Sequence, residues 1–360
     1  MNPDDNHLPD LTRRQEEILS LIIQSYTTTL EPVSSKHLVD VFNLGVSSAT
    51  IRNEMAVLED KGYVSAPHTS AGRVPTEKGY RYFVRRLLKI GDLSLSERIR
   101  ISEKMQEQPL ATEQWMRLAA TILARTAQSA ALVTPPISET SRFKHVELIS
   151  IQGRLVLMVL VLHSGNVHQQ MLNLAESLPQ ASLSQSAQRV NDLCLNLTAN
   201  EVRMKSVQLP LLEREVAELA ADLMDKADTH QVRFIYREGL SSIINAFQGS
   251  EGAQQAVRVF EERAVLNTIL SEVLANHGND VRVFIAGDGR WEELNHLSMV
   301  LSRYGIPGQV SGALGVVGPT HINYGRAISA VRYVSNLMTD MLVKLYEEAG
   351  KNGQPSMTEG

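Results

Sequence analysis

The sequence predicts a multidomain α+β protein in which an N-terminal winged helix-turn-helix precedes an α+β sensor-like domain that is interrupted by an insertion. Three observations lead to this fold class. The chain has 360 residues, more than one small domain needs at about 150 residues per domain. Within residues 1–90, three helical patterns, a hairpin pattern and a fourth helical pattern follow one another. Beyond them, short strand-like runs are flanked by amphipathic helices.

The composition is that of an ordinary globular protein, with 43% hydrophobic residues, 21% charged residues and a net charge of −5. Any nucleic-acid contact must therefore come from a local basic surface. Cys194 is the single cysteine, which excludes an intrachain disulfide and a cysteine-based zinc cluster and favours a reducing, cytoplasmic location. The longest apolar run, Leu155–Leu162, is too short for a membrane span, and the polar N-terminus does not resemble a signal peptide.

Each predicted helix of the N-terminal domain follows a residue whose side chain can accept a hydrogen bond from the first turn. These predicted caps are Thr12, Ser34, Ser47 and Thr76. Apolar residues repeat at helical spacing after each cap, and we expect the fourth helix to continue through Leu88. Between the third and fourth helices, residues 62–64 and 73–74 predict a short hairpin, the wing of a winged helix.

Composition and hydrophobic patterns divide residues 91–360 into several predicted parts. A helix from Trp115 to Ala131 is expected to open the second domain, and three strands between Val146 and Leu174 predict an antiparallel meander. The middle strand of the meander is apolar on both faces, so we expect the sheet to be covered on both sides. Further strands are predicted at 281–286 and 313–317. The predicted parts are a first domain at 1–90, a connector at 91–109, a second domain made of 110–176 and 249–347, an insertion at 177–248 and a disordered tail at 348–360.

The third helix carries the strongest functional signal. Its apolar residues Ile51, Met55 and Leu58 repeat at +4 and +7, so they face inward and leave a polar face near the helix start. A recognition helix meets base edges with this part of its surface. The predicted base contacts are Ser48, Thr50, Arg52 and Asn53, because arginine can bind guanine and asparagine can bind adenine through two hydrogen bonds each. The alternative is a solvated helix face with an Arg52–Glu59 charge pair.

The wing and fourth helix form a basic segment on an otherwise acidic chain. Residues 68–89 hold six lysines and arginines against Glu77 alone, a net charge of +5 that suits contact with a phosphate backbone. The predicted phosphate or wing contacts are Ser47, His68, Thr69, Ser70, Gly72, Arg73, Lys78 and Arg81. The alternative for the fourth helix, and for Arg85 and Arg86 in particular, is the polar side of an amphipathic helix.

Enzyme signatures are missing from the sequence. Gly287 and Gly289 follow a predicted strand, but Glu292 stands where a dinucleotide-binding motif needs its third glycine. No P-loop, His-Glu-x-x-His zinc motif or Gly-x-Ser-x-Gly nucleophile motif occurs. We therefore expect a protein that is not an enzyme and that uses neither a cofactor nor a metal ion.

The N-terminal motifs resemble those of one known family. They are Ser48–Met55, Leu58-Glu59, Gly62-Tyr63, Pro67–Thr76 and Gly79–Arg81, with a weaker match at Gly315–Thr320. Together they closely resemble the heat-inducible transcription repressor HrcA family, and the likeness spans nearly the whole chain. The chain departs from the family pattern at Ser34, at His321-Ile322 and at Gly287–Arg290.

The resemblance implies a homodimer whose subunits each hold a winged-helix domain, a GAF-like α+β domain and an inserted α+β dimerisation domain. It further implies a repressor that binds the inverted-repeat CIRCE operator in double-stranded DNA ahead of chaperonin and DnaK-system operons. The GroE chaperonin is the implied modulator, and heat stress releases the operons. A metabolite-responsive repressor with an effector in the GAF-like domain, and an enzyme with an accessory DNA-binding domain, are the alternatives.

Overall fold

The structure is a computed structural model. It describes residues 11–67, 72–106, 112–138, 141–163, 165–228, 234–247, 250–274, 280–286, 291–307 and 309–352. The chain divides into two compact units. The first unit lies within Met1–Pro135, Phe234–Tyr304 and Ala313–Gly360, and the second lies within Pro136–Arg233 and Gly305–Gly312. Among the described residues, no helix has the length and apolar character that crossing a bilayer requires.

The N-terminal part of the first unit has the predicted winged helix-turn-helix order. Its elements are α1 (Arg13–Thr29), α2 (Ser35–Phe42), α3 (Ser48–Asp60), β1 (Val64–Ser65), β2 (Val74–Pro75) and α4 (Glu77–Tyr82). All four predicted caps are confirmed, since Thr12, Ser34, Ser47 and Thr76 each accept a backbone N–H three residues on. The wing strands pair antiparallel, with Val64 opposite Pro75. The fourth helix differs from expectation because its α-helical part ends at Tyr82 and a π-helical turn, Phe83–Leu87, follows.

The remaining elements follow in chain order. They are α5 (Leu95–Gln106), α6 (Thr112–Ala127), β3 (Ala130–Val133), β4 (Ile137–Ser138), β5 (Phe143–Gln152), β6 (Leu155–Leu162), β7 (Val167–Asn173), α7 (Gln180–Cys194), α8 (Ala199–Ser206), α9 (Leu211–Asp228), β8 (Tyr236–Glu238), α10 (Leu240–Ala246), α11 (Ser250–Glu261), α12 (Arg263–Leu274), β9 (Arg282–Ile285), β10 (Leu297–Ile306), β11 (Val310–Pro319) and α13 (Tyr324–Asn352).

The sheet of the first unit has the strand order β8-β3-β11-β10-β9, and its β8-β3, β3-β11 and β10-β9 pairs are antiparallel. Its strand β10 is buried from Leu297 to Gly305 and β11 along its whole length, as central strands are. Tyr304 anchors this core, because its hydroxyl donates a hydrogen bond to the Thr134 carbonyl at 2.5 Å. The predicted strand at 281–286 is confirmed as β9, and the strand predicted at 313–317 lies within β11.

Two predictions about the first unit are wrong, and one of its strands is not predicted at all. The helix expected to reach Ala131 ends at Ala127, Gln128 turns into a left-handed conformation with φ 54°, and Ala130–Val133 is strand β3. Strand β10 was not predicted, although it is ten residues long. The tail expected to be disordered from residue 348 is helical as far as Asn352, where α13 ends. Short buried apolar runs carry no period that separates strand from helix, which explains the wrong helix end and the strand that is not predicted.

In the second unit, the predicted meander is confirmed as the antiparallel sheet β5-β6-β7. One face of this sheet packs against α7, α8 and α9 around a core that includes Val156, Met158 and Leu160. The compact unit therefore begins near residue 136, whereas the sequence placed the meander in the domain 110–176 and began the insertion at 177. The assignment of an inserted domain remains a prediction.

The other face of the β5-β6-β7 sheet is apolar and open within the described chain. Leu157 is half-buried there and lies between Ile149 and Met171 on the neighbouring strands, both of which are exposed. Val161 pairs with Val167, whose exposed fraction is 56%. The single chain thus covers one side of the sheet, although the sequence predicted covering on both.

Candidate nucleic-acid interface

Helix α3 presents the face that its sequence predicts. Ile51, Met55 and Leu58 are buried in the N-terminal core. On the opposite side, three of the predicted contact residues, Ser48, Arg52 and Asn53, are exposed, and Thr50 is half-buried. The arrangement leaves an arginine and an asparagine side by side on the solvent face of a capped helix, as reading base edges requires. Their role as base contacts stays a prediction.

The start of α3 is fixed by its cap. The Ser47 hydroxyl accepts a hydrogen bond from the Thr50 backbone N–H at 3.2 Å, and the two hydroxyl oxygens lie 3.0 Å apart. Both side chains are therefore engaged in the helix start. The first backbone N–H groups of the helix give this end a partial positive charge, which favours a nearby phosphate.

A polar brace that local sequence patterns do not predict joins α1 to α3. Gln15 is buried, and its amide nitrogen donates to the Glu54 carboxylate at 3.0 Å while its amide oxygen accepts from the Lys61 ammonium at 3.3 Å. Because one side chain bonds to the middle of α3 and to Lys61 directly after its end, the brace holds the angle between the two helices. A buried glutamine beside charged partners on another helix has no signature in local spacing, so only the tertiary structure shows it.

Arg73 holds the base of the wing to the helix-turn-helix. Its guanidinium forms an ion pair with Glu59 at 2.7 Å, and its backbone exchanges two hydrogen bonds with Val33, at 2.8 and 2.9 Å. Glu59 therefore pairs with the wing, whereas the alternative for α3 paired it with Arg52. Gly72 makes this approach possible, since a Cβ there would lie 2.4 Å from the Val33 carbonyl atoms.

Two further predicted phosphate contacts also have partners within the protein. The Lys78 ammonium donates to the Lys61 carbonyl at 2.8 Å and lies 4.8 Å from the centre of the Tyr63 ring. Arg81 pairs with Glu77 one turn earlier at 3.1 Å. To contact a phosphate, each must share or exchange these partners. Their predicted role therefore stays untested, and His68, Thr69 and Ser70 lie outside the described residues.

The structure adds exposed basic residues at other helix starts. Lys36 and His37 are exposed in the first turn of α2, directly after the Ser34 cap. Arg13 and Arg14 are exposed at the start of α1. These four residues lie outside the basic segment 68–89, and charge patterning along the sequence does not single them out. The sequence signal for such residues is a basic side chain in the first turn of a capped helix, because the nearby backbone N–H groups can bind the same phosphate.

The described residues offer no metal site, since no group of three His, Cys, Asp or Glu side chains converges among them. Cys194 is buried in the second unit, and burial raises the pKa of its thiol to about 11. A protonated, buried thiol is a poor nucleophile and a poor metal ligand. The second unit thus shows no sign of cysteine chemistry.

Comparisons with known proteins find relatives that match the chain along nearly its whole length. Residues 113–328 match the family model of the HrcA protein C-terminal domain, and residues 8–72 match the model of the LexA DNA-binding domain. A heat-inducible transcription repressor HrcA from Roseiflexus castenholzii is 42% identical over 347 residues, which cover 94% of this chain and 96% of that protein. The HrcA of Herpetosiphon aurantiacus is 41% identical over 348 residues, 94% of this chain and 97% of that one.

One solved structure supports the fold alone. The crystal structure of a hypothetical protein at 2.2 Å resolution superposes with a TM-score of 0.56 and 24% sequence identity, covering 93% of this chain and 99% of that chain.

Proposed function

This chain belongs to the HrcA family of heat-inducible transcription repressors, and from that membership we propose that it binds a CIRCE-type inverted repeat as a homodimer. Bound there, it represses chaperonin and DnaK-system operons in the cytoplasm until heat stress releases it. The observation that carries the proposal is the exposed polar face of α3, held on a braced and capped helix at the surface of a winged helix.

Base recognition falls to four side chains on that face. Arg52 supplies two parallel donors for guanine O6 and N7, and Asn53 supplies a donor and an acceptor for adenine N6 and N7. Ser48 and Thr50 offer shorter contacts to neighbouring bases, the threonine methyl suiting thymine. A recognition helix in the major groove of each half-site matches a two-fold protein to a two-fold operator.

Phosphate contact falls to the basic side chains around α3. Lys36 and His37 at the start of α2 are exposed and sit beside backbone N–H groups. The wing adds Arg73 and Lys78, which hold the wing base in place through Glu59 and the Lys61 carbonyl. Such contacts add affinity and salt dependence without adding sequence information.

The open face of the β5-β6-β7 sheet supports the homodimer. Half-buried Leu157 between exposed Ile149 and Met171, next to the Val161–Val167 pair, makes a contiguous apolar surface. Surfaces of this kind on a water-exposed protein mark an interaction site. A second copy is the partner we propose, because a two-fold operator requires two recognition helices. The GroE chaperonin, by family resemblance, maintains the binding-competent form.

The test is a gel-shift titration against the inverted repeat, a single half-site and a scrambled duplex, with and without the chaperonin. Replacing Arg52 by alanine should weaken operator binding by about 1–3 kcal/mol, roughly 5–150-fold, and leave scrambled DNA nearly unaffected. Arg100→Ala, an exposed arginine on α5, is the matched control and should bind like the wild type. Equal losses on operator and scrambled DNA would show that Arg52 does not read bases.

A second variant separates phosphate contact from base reading. Lys36→Gln should weaken operator and scrambled DNA alike and lower the slope of log affinity against log salt by about one. A loss confined to the operator would contradict the phosphate role.

A further inference from the structure

The winged helix and the β3-β11-β10-β9 sheet core lie in one compact unit, although a connector separates them in sequence. Ring side chains of the winged helix contact ring side chains at the start of α13, which packs on the sheet core. Tyr80 of α4 stacks at a tilt on Tyr324 at the start of α13, with ring centroids 5.8 Å apart. Tyr26 of α1 meets His321 edge-on at 6.3 Å. We call these four residues the aromatic junction.

The sheet side of the aromatic junction is rigidly anchored. Tyr324 is 2% exposed, and its hydroxyl donates to the Thr320 carbonyl at 2.7 Å and lies 2.7 Å from the Ser298 hydroxyl of β10. His321 is half-buried, three residues before Tyr324 in the chain. The ring that receives α4 is thus fixed to the centre of the sheet, and the ring that receives α1 belongs to the same turn before α13.

The connector that follows the winged helix is also bound along α13. The Ser329 hydroxyl donates to the Gly91 carbonyl, Arg326 pairs with Glu97 of α5 at 2.9 Å, and the Tyr333 hydroxyl donates to the Arg98 carbonyl at 2.9 Å. Residues 91–98 therefore follow α13 and do not act as a free tether. Both routes from the winged helix to the sheet core, the aromatic one and the covalent one, are held by side-chain contacts.

We infer that the aromatic junction and the Arg326–Glu97 pair are positioning residues that make the repressor selective for the spacing between operator half-sites. The inference rests on the proposed function, since it needs two recognition helices on one duplex. Inserting one base pair between half-sites moves the second by about 3.4 Å and turns it by roughly 34° about the DNA axis. A flexible linker absorbs such a change, whereas a rigid junction forces the protein or the DNA to strain.

The test compares operators whose half-site separation is shortened or lengthened by one and two base pairs. Wild-type protein should bind the altered operators at least about tenfold more weakly than the natural spacing, because strain must be absorbed in the DNA. The variant carries His321→Ala and Arg326→Ala, both on the sheet side, so the DNA-contacting domain is unchanged. It should retain half-site affinity within about twofold and lose spacing discrimination to less than about threefold.

Two controls keep the test decisive. Arg332→Ala removes an exposed arginine from the same helix and should leave spacing discrimination at the wild-type level. Tyr80→Phe keeps the ring that meets Tyr324 and should also discriminate like the wild type, while the single His321→Ala variant should lie between wild type and the double variant.

Wild-type protein that tolerates all spacings, or a folded double variant that keeps full discrimination, would overturn the inference while half-site binding still upheld the proposed function. Absence of sequence-specific binding to any half-site would overturn both. If the double variant unfolds at the assay temperature by circular dichroism, the single His321→Ala variant decides the question in its place.

Discussion

Gly72→Ala is the sharpest test of how the wing is attached. The new Cβ would lie 2.4 Å from the carbonyl carbon and oxygen of Val33, a distance that carbon atoms do not tolerate, so residue 72 must move. The movement breaks two backbone hydrogen bonds between Val33 and Arg73, worth about 1 kcal/mol each. It also strains the partly exposed Arg73–Glu59 ion pair, worth about 0.5 kcal/mol.

Alanine restricts the unfolded chain, which offsets the loss by about 0.4–1 kcal/mol. The free energy of local opening at the wing base should therefore fall by about 2 kcal/mol. Hydrogen exchange of the full-length protein measures this directly, and the amides of Val33 and Arg73 should exchange about 30-fold faster than in the wild type. Gly91→Ala is the control, because its Cβ meets no atom within 4 Å. Exchange in Gly72→Ala within about threefold of this control would refute the attachment described above.

Three further outcomes are expected. A double-mutant cycle on Arg73→Ala and Glu59→Ala should give a coupling energy of about 0.2–1 kcal/mol by thermal unfolding that shrinks in about 1 M salt, and a salt-insensitive coupling would contradict a partly exposed ion pair. Tyr304→Phe should lower the free energy of unfolding by about 1–3 kcal/mol, measured with denaturant, because the buried Thr134 carbonyl loses its donor. Burial lowers the pKa of His321 below 6.5, so the unfolded chain binds this proton at a higher pH than the folded chain and stability declines as the pH falls below about 6.5. His321→Asn should reduce the drop in Tm between about pH 8 and pH 5.5, and an unchanged drop would rule out this residue as a source of it.

The winged helix could be predicted closely because each of its signals is local. A cap and the apolar residues of its helix lie within one or two turns, so Ser47 with Ile51 and Met55 predicted both the start of α3 and its buried face. Once the buried residues of α3 are predicted, the residues on the opposite side of the helix are predicted to face solvent. For the same reason the meander was predicted, since its turns and alternation are properties of neighbouring residues.

The rest of the fold depends on contacts between distant segments. Strand β3 is four small or branched residues buried on all sides, and Ala130 and Ala131 carry a helical preference that pairing with β11 and β8 overrides. Strand β10 lacks alternation because both of its faces are buried. No local pattern in the sequence shows that the meander and helices α7–α9 share one core.

The number of charged residues in a segment likewise does not predict which of them are paired in the folded protein. The sequence shows that residues 68–89 are basic, but it cannot show which cations have acidic or carbonyl partners in the fold. Arg73, Lys78 and Arg81 are equivalent in a charge count. In the fold, their partners are Glu59, the Lys61 carbonyl and Glu77, respectively. The basic segment therefore stabilises the wing against α3, and the phosphate contacts proposed for it must share these partners. A wing held in this way keeps α3 oriented before DNA arrives, so less ordering remains to oppose binding.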